Sequence, residues 1–173
     1  FILNKSKKSS KVLKIIYVGR LSKEKGILTI LKALKIIKNK LKFNFKVYGD
    51  GNEKKIVQTK IKAYKIEKEV KLFGHQKNHN KIFKNANLFI NASLFEGLPN
   101  ALVQALNYNV SVICSRSPGG NMEVVKNGKY GQIFSVNSEN DLADKIMNLN
   151  SSRFFFNKIE KNLHLKKFTE KFS

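Results

Sequence analysis

Apolar residues run along this chain in two alternating rhythms. Val12 to Val18 is apolar except for Lys14 and closes at Gly19. A short, nearly continuous run ended by a turn residue predicts a buried strand. Ile27, Ile30, Leu31, Leu34 and Ile37 then recur at helical spacing, with Lys32, Lys35 and Lys38 on the other faces. The same exchange repeats. Phe43–Tyr48 predicts a strand closed by Gly49-Asp50-Gly51, and Ile56, Val57, Ile61 and Tyr64 a helix. Val70–Phe73 predicts a strand ending at Gly74, and residues 78–85 a short helix. Asn87–Asn91 predicts a strand, Pro99–Asn107 a helix, Val110–Cys114 a strand, and Ile133-Phe134 a last short strand. Ser138 with Asp141 three positions on is a helix-cap pattern, followed by Leu142, Ile146 and Leu149 on one face. The stretch from Ser151 to Ser173 mixes aromatic and basic residues and reads as a final helix.

Strands alternating with helices predict an α/β fold: a Rossmann-like, doubly wound parallel sheet of about six strands with helices on both faces. With 173 residues, one domain is expected. The reading divides the chain into the end of a linker (1–11), a ligand-binding domain (12–150) and a C-terminal helical tail (151–173). Residues 1–14 carry five lysines and no long apolar stretch, which does not fit a signal peptide, and the chain is expected to be cut from something longer. No apolar run reaches the 18 residues that a membrane-crossing helix needs.

The formal net charge is +22, yet only three of the 34 basic residues are arginine. Specific nucleic-acid recognition favours the planar, bidentate guanidinium, so a specific nucleic-acid partner is not expected. Lysine, asparagine, isoleucine and phenylalanine, all abundant here, share A/T-rich codons, so genome composition and solvation account for much of the charge. Peripheral attraction to an anionic membrane, on the inner face of the cytoplasmic membrane, is the functional alternative. The single cysteine, Cys114, sits in an apolar run, where it reads as a buried thiol in a reducing, cytoplasmic setting.

The lysines are unevenly placed. None occurs from Asn85 to Val125, a stretch whose only charges are Glu96, Arg116 and Glu123. A charge-poor window in so basic a chain predicts the buried centre of the fold, and a charge kept there is a candidate for a role. Ligands of doubly wound sheets sit at the carboxyl ends of the strands, and the glycines of this chain, Gly19 and Gly51 among them, fall in the loops at those ends. In Gly19–Gly26, Arg20 and Lys25 can hold a diphosphate, the alternative being a solvated loop. In Ser93–Ala101, Gly97 and Pro99 precede a helix whose free N–H groups suit an anion, and Glu96 beside them suits hydroxyls, the alternative being a helix-capping glutamate. In Ser117–Glu123, Gly119 and Gly120 expose N–H groups and Glu123 suits hydroxyls, the alternative being a plain turn followed by a helix. No phosphate-loop or dinucleotide fingerprint occurs, and no Asp-x-Asp or histidine pair is spaced for a metal. His75 lies near the expected site but reads as an ordinary loop histidine.

The segments YVGRLSKEKG, VYGDGNE, VKLFGH, NASLFEGLPNALVQAL and SVICSRSPGGNMEVVKNGKYG, in this order, resemble glycosyltransferase family 4, whose members are retaining enzymes with a two-domain, B-type fold. The resemblance covers roughly residues 12–149 and matches the C-terminal, donor-binding domain. It implies a nucleotide-diphosphate sugar, UDP-linked, as substrate, no cofactor and no metal, and an absent N-terminal acceptor domain as partner. It implies that Arg20 and Lys25 hold the diphosphate and Glu96 meets the transferred sugar. Gly97, Leu98, Pro99 and Asn100 would cradle phosphate, and Phe73 and Gly74 would lie beside the base. The family's second glutamate, which binds the ribose, is Gln104 here. Two other readings are a basic, non-catalytic module with an idle sugar-nucleotide site, and a related B-type epimerase or phosphorylase. The lysine-free window argues against the first and EGLPNALVQAL against the second.

Overall fold

The computed structural model describes residues 12–149 and 158–169. Among them, six strands form one sheet: β1 (Leu13–Val18), β2 (Phe43–Tyr48), β3 (Val70–Leu72), β4 (Leu88–Asn91), β5 (Ser111–Ser115) and β6 (Gln132–Phe134). Every pairing is parallel and the order is β3-β2-β1-β4-β5-β6. Helices α1 (Ile27–Ile37), α2 (Lys54–Ala63) and α6 (Glu139–Met147) cover one face. Helices α3 (His79–Phe83), α4 (Asn100–Asn107), α5 (Gly120–Val124) and α7 (Lys158–Thr169) pack on the other. This is the doubly wound arrangement expected from the alternation of periods. No helix among the described residues is long and apolar enough to cross a membrane.

Cover explains composition. β4 is buried along its whole length and is apolar except for its last residue, Asn91. β2 alternates, with Phe43, Phe45 and Val47 in the core beneath α1 and α2 while Asn44 and Lys46 face outward. α1 is held by its buried stripe from Ile27 to Ile37. Each such side chain contributes about 1.5–3 kcal/mol when fully buried. Ser138 caps α6, its hydroxyl accepting the Asp141 N–H at 3.2 Å, as the sequence pattern predicts.

The tail read as helical is α7 where it is described, and it belongs to the packed body rather than hanging from it. Leu165 and Phe168 are buried in the core beneath α4. Lys161 is 2% exposed, and its ammonium donates to Leu106 O and Asn109 Oδ1, both at 2.6 Å. It thereby ties α7 to the C-terminal end of α4, where Leu106 O also accepts the Asn109 N–H at 3.0 Å. The residues expected to form a linker end, 1–11, lie outside the described residues.

The strand order positions the site. After β1 the chain moves outward to β2 and β3, then returns to the opposite side of β1 as β4. The connections leaving β1 and β4 therefore diverge, opening a crevice at their carboxyl ends.

Candidate functional site

The loop after β1 is built by backbone bonds to the loop after β2. Gly19 N–H donates to Tyr48 O and Leu21 N–H to Asp50 O, each at 2.9 Å, and Glu53 N–H returns to Leu21 O at 2.9 Å. Gly51 belongs to this clasp: a Cβ there would lie 2.3 Å from Leu21 O. Its lack of a side chain serves the approach of two loops rather than of a ligand, a correction to its reading as a ligand-facing glycine. The Tyr17 hydroxyl donates to Arg20 O at 2.6 Å and fixes the turn. Burial, and after it the nearby Glu96 charge, hold that phenol far above its ordinary pKa, so it remains a neutral donor.

One 3-10 turn, Lys23–Lys25, then presents Lys25 to the crevice. Its ammonium donates to both oxygens of Glu96, at 2.7 and 2.8 Å. The Ser93 hydroxyl donates to Glu96 Oε2 at 2.7 Å. The Glu96 side chain is 13% exposed and that of Lys25 is 29% exposed. This is a half-enclosed ion pair joining residues 71 positions apart. Arg20 beside it is exposed, and among the described residues no carboxylate pairs with it.

These groups line a cavity of about 660 Å³ at the carboxyl ends of β1 and β4, together with Gly19, Leu98, Pro99 and Asn100. The start of α4 faces it. Asn100 N–H is already used on Leu98 O at 3.0 Å. Among the described residues, the N–H groups of Gly97, Leu98 and Ala101 have no backbone acceptor. A second cavity, about 480 Å³, shares Val18, Gly19 and Arg20 with the first and extends to Tyr48, His75 and His79. The two adjoin at the β1 loop: Lys25, Glu96 and the free N–H groups line the first, while the second adds Tyr48 and two imidazole rings beside Asp50 and Lys77, and Arg20 belongs to both. A ligand with a twofold-charged centre, a hydroxyl-rich end and a planar end matches that division chemically.

Comparison with known proteins decides the family. A family model described as glycosyl transferases group 1 matches residues 1–172. The chain belongs to the group 1 glycosyl transferases. It is 30% identical, over 128 residues, to the Campylobacter jejuni N-acetylgalactosamine-N,N'-diacetylbacillosaminyl-diphospho-undecaprenol 4-alpha-N-acetylgalactosaminyltransferase, covering 74% of this chain and 34% of that protein. It is 36% identical over 112 residues to an uncharacterized glycosyltransferase of Methanocaldococcus jannaschii, 64% of this chain and 27% of the relative. The chain thus spans only about a quarter to a third of these relatives. Two solved structures share its fold. Anabaena HepE, solved with UDP and glucose, superposes with a TM-score of 0.77 at 20% identity, covering 92% of this chain and 48% of that one. The C-terminal domain of a group 1 family protein from Francisella tularensis gives 0.74 at 21%, covering 93% and 87%.

In this group 1 domain the structure brings together Gly19, Arg20, Lys25, Glu96, Leu98, Pro99 and Asn100, with Gly97 beside them on the same loop. It sets others apart. Phe73 and Gly74 line neither cavity: the Phe73 ring stacks on Tyr48 at 5.2 Å, and Gly74 O accepts the Gly49 N–H at 2.8 Å. Gln104 lies one helical turn beyond Asn100, its Oε1 2.9 Å from His79 Nδ1. The expectation that Gly119 and Gly120 both offer N–H groups to a ligand fails at Gly120, which donates to Glu96 O at 2.7 Å and Gly97 O at 3.1 Å. Gly119 adopts φ +103, and a Cβ there would lie 1.9 Å from Glu96 O. This glycine turn is packed behind Glu96 and holds its backbone. Glu123 points the other way: it is exposed, 3.5 Å from Lys167 on α7, and lines neither cavity. Its carboxylate turns outward because α5 is a single short helix whose inner side is filled by Val124 and Asn121.

The sequence reading missed the polar network under the site. Asn121, fully buried, donates to Ser117 Oγ at 3.0 Å and Ser115 O at 3.3 Å, and accepts from Asn91 Nδ2 at 3.3 Å. Asn91 Oδ1 accepts the Ser93 N–H at 2.9 Å, and Ser115 Oγ donates to Ser93 O at 2.6 Å. Small polar residues inside the lysine-free window were the available signal.

Proposed function

We propose that this chain is the donor-binding half of a retaining, two-domain glycosyltransferase of family 4, taking a sugar linked to a nucleoside diphosphate, UDP above all, and passing it to a glycan or lipid-linked acceptor held by an N-terminal domain. The observation that carries this is the Lys25–Glu96 pair at the crevice between β1 and β4, flanked by Arg20 and the start of α4. HepE, which shares the fold, was solved with UDP and glucose, and this supports a nucleotide sugar as the ligand.

The chemistry follows from the charges. When a sugar–phosphate bond breaks, positive charge develops on the sugar and negative charge on the departing diphosphate. Arg20, Lys25 and the free N–H groups at Gly97, Leu98 and Ala101 stabilise that anion. Glu96 accepts from sugar hydroxyls. Without ligand, Lys25 neutralises Glu96. An arriving diphosphate competes for the ammonium and the sugar hydroxyls replace it at the carboxylate, so both charges stay satisfied. Protein cations are sufficient counter-charges in this scheme, and UDP affinity is expected to survive EDTA unchanged.

Calorimetric titration with UDP and a UDP-sugar tests the assignment. Arg20→Met and Lys25→Met each remove a charged hydrogen bond worth about 1.5–3 kcal/mol, so both ligands weaken very roughly ten- to a hundredfold. Glu96→Gln leaves UDP binding as it was or tighter, because Lys25 is released, and weakens only the sugar-linked form. Equal weakening of both ligands by Glu96→Gln overturns the sugar role. The isolated chain, lacking an acceptor half, is expected to show little transfer because nothing holds the reacting groups together. Robust transfer by it alone overturns the division of labour.

A further inference from the structure

On the face of the sheet that carries α3, α4, α5 and α7, cover stops short. The β4 and β5 side is buried beneath α4, α5 and α7. Among the described residues, the β1–β2–β3 side has the five-residue α3 near it, which helps to bury Ile16 and Tyr48 and leaves the outward positions before and between them uncovered. Register shows what is left open. Lys14 lies abreast of Asn44, Ile16 of Lys46, and Lys46 of Lys71. Lys14, Asn44, Lys46 and Lys71 are exposed, while the residues alternating with them pack into the opposite core. Lys81 and Asn85 from the α3 segment join Lys14, Lys46 and Asn44 around a shallow hollow of about 40 Å³. Further along the face, Phe73 is 42% exposed and stacked on Tyr48.

Among the described residues, no carboxylate pairs with Lys14, Lys46, Lys71 or Lys81. The acidic residues that do form pairs reach Lys25, Lys32, Lys54, Lys126, Lys129, Lys145 and Lys167. Lys46 and Lys71 are neighbours in register, an arrangement of like charges that costs stability unless a counter-charge offsets it. Residues 1–11, with four lysines and no acidic residue, cannot supply one.

The geometry points to this open half-face as a seat for an anionic phospholipid surface, with the hollow between Lys14, Lys46 and Lys81 taking a headgroup phosphate. The face is a broad strip of ammonium point charges with an aromatic ring at one end. Of the described arginines, Arg20 lines the groove and Arg116 follows β5, so neither supplies this face with the guanidinium fork that favours nucleic-acid recognition. Lysines spread along the strip attract an anionic headgroup layer as point charges, and the hollow adds one localised phosphate contact. The strip begins at Lys14, near the amino-terminal end of β1, whereas the groove opens at the carboxyl ends. The assignment stands on charge and cover and does not depend on the donor reading.

Vesicle co-sedimentation of the full chain tests it. Vesicles containing phosphatidylglycerol should bind it, and pure phosphatidylcholine vesicles should not. Replacing Lys14, Lys46, Lys71 and Lys81 together by glutamine should weaken binding by roughly tenfold or more. Replacing Lys42, Lys55, Lys62 and Lys68, exposed elsewhere, removes the same charge and should weaken it far less. Should the first variant fail to fold by circular dichroism, the Lys71→Gln, Lys81→Gln pair serves in its place, with a smaller but still selective loss. Equal losses from the two quadruple variants would mean that only net charge acts, and overturn the proposal. So would equal binding to neutral vesicles, or saturable binding of inorganic phosphate without any vesicle response. If the open-face substitutions abolish binding of mixed-sequence single-stranded RNA and spare the vesicles, the face serves nucleic acid and the assignment is wrong. UDP titration in parallel separates the two proposals, since UDP affinity should be the same in every variant.

Discussion

The two halves of one sheet face differ in what covers them, and their sequences differ accordingly. Over β4 and β5, α4, α5 and α7 close the face, and the stretch from Asn85 to Val125 contains no lysine. Over β1, β2 and β3, among the described residues, cover is partial: Ile16 and Tyr48 are buried near α3, while Lys14, Lys46 and Lys71 occupy exposed outward positions. In so lysine-rich a chain, lysine works as a reporter: an ammonium is excluded wherever a strand is covered on both sides, because burying an unpaired charge is prohibitive. Where lysine alternates with apolar residues, one side is wet. The exceptions are informative. Lys161 is buried with Leu106 O and Asn109 Oδ1 accepting from it, and Lys25 is half-enclosed with Glu96 opposite.

Four measurements test that contrast. The largest effect is expected at Cys114, in the covered half. Burial raises its thiol to about 12, so the nucleophilic thiolate is suppressed near neutral pH. Reaction with a thiol reagent at pH 8 should run roughly a thousandfold slower than for the urea-unfolded chain, since it waits for an opening that costs several kcal/mol. Rapid labelling of the folded chain would show that the half is not covered. Next, Phe89→Ala removes a ring that is 1% exposed on β4 and should lower stability by about 3–5 kcal/mol in urea unfolding. A loss under 1 kcal/mol would contradict dense packing there. Asn121→Ala strands the Asn91 and serine partners beneath the site and should cost about 1–3 kcal/mol. UDP-sugar affinity should fall with it, because the Gly119–Gly120 turn behind Glu96 loses its anchor. Unchanged stability would mean the network is dispensable. The smallest effect belongs to the open half: Lys71→Gln should shift stability by no more than about 0.5 kcal/mol, towards greater stability, as it removes a like charge beside Lys46.

Much of the fold was legible along the chain because its signals are local. Phe43–Tyr48 alternates and is β2 over the same residues. The periodic stretch from Ile27 to Ile37 is α1. Boundaries moved where tertiary bonds decide them. Val110 was expected to open β5, but its N–H turns back to Ala105 O, closing α4, and the strand begins at Ser111. The Ser117–Glu123 segment, read either as a ligand-facing loop or as a plain turn followed by a helix, is a glycine turn leading into the five-residue α5. Of the site, the two charge-bearing loops could be read and were brought together, with Arg20, Lys25 and Glu96 at one cavity. The same reasoning sent Glu123 to the ligand, since its residue type and loop position match those of Glu96. Only the packing of α5 against α7 distinguishes them.

The sequence by itself determined the order of strands and helices, the class of sheet they build, and which loops meet at its carboxyl edge, because periodicity, turn residues and chain order are properties of neighbours. It also marked, through the missing lysines, which segment is enclosed. Tertiary structure alone decided the partners. Lys25 finds Glu96 across 71 positions, Gln104 finds His79, and the Gly120 N–H goes to the Glu96 backbone rather than to a ligand. The reason is that a side chain's partner depends on the direction in which its element packs. That direction is set by crossovers around β1 and by which helix covers which half of the sheet, contacts between segments that the linear pattern leaves free.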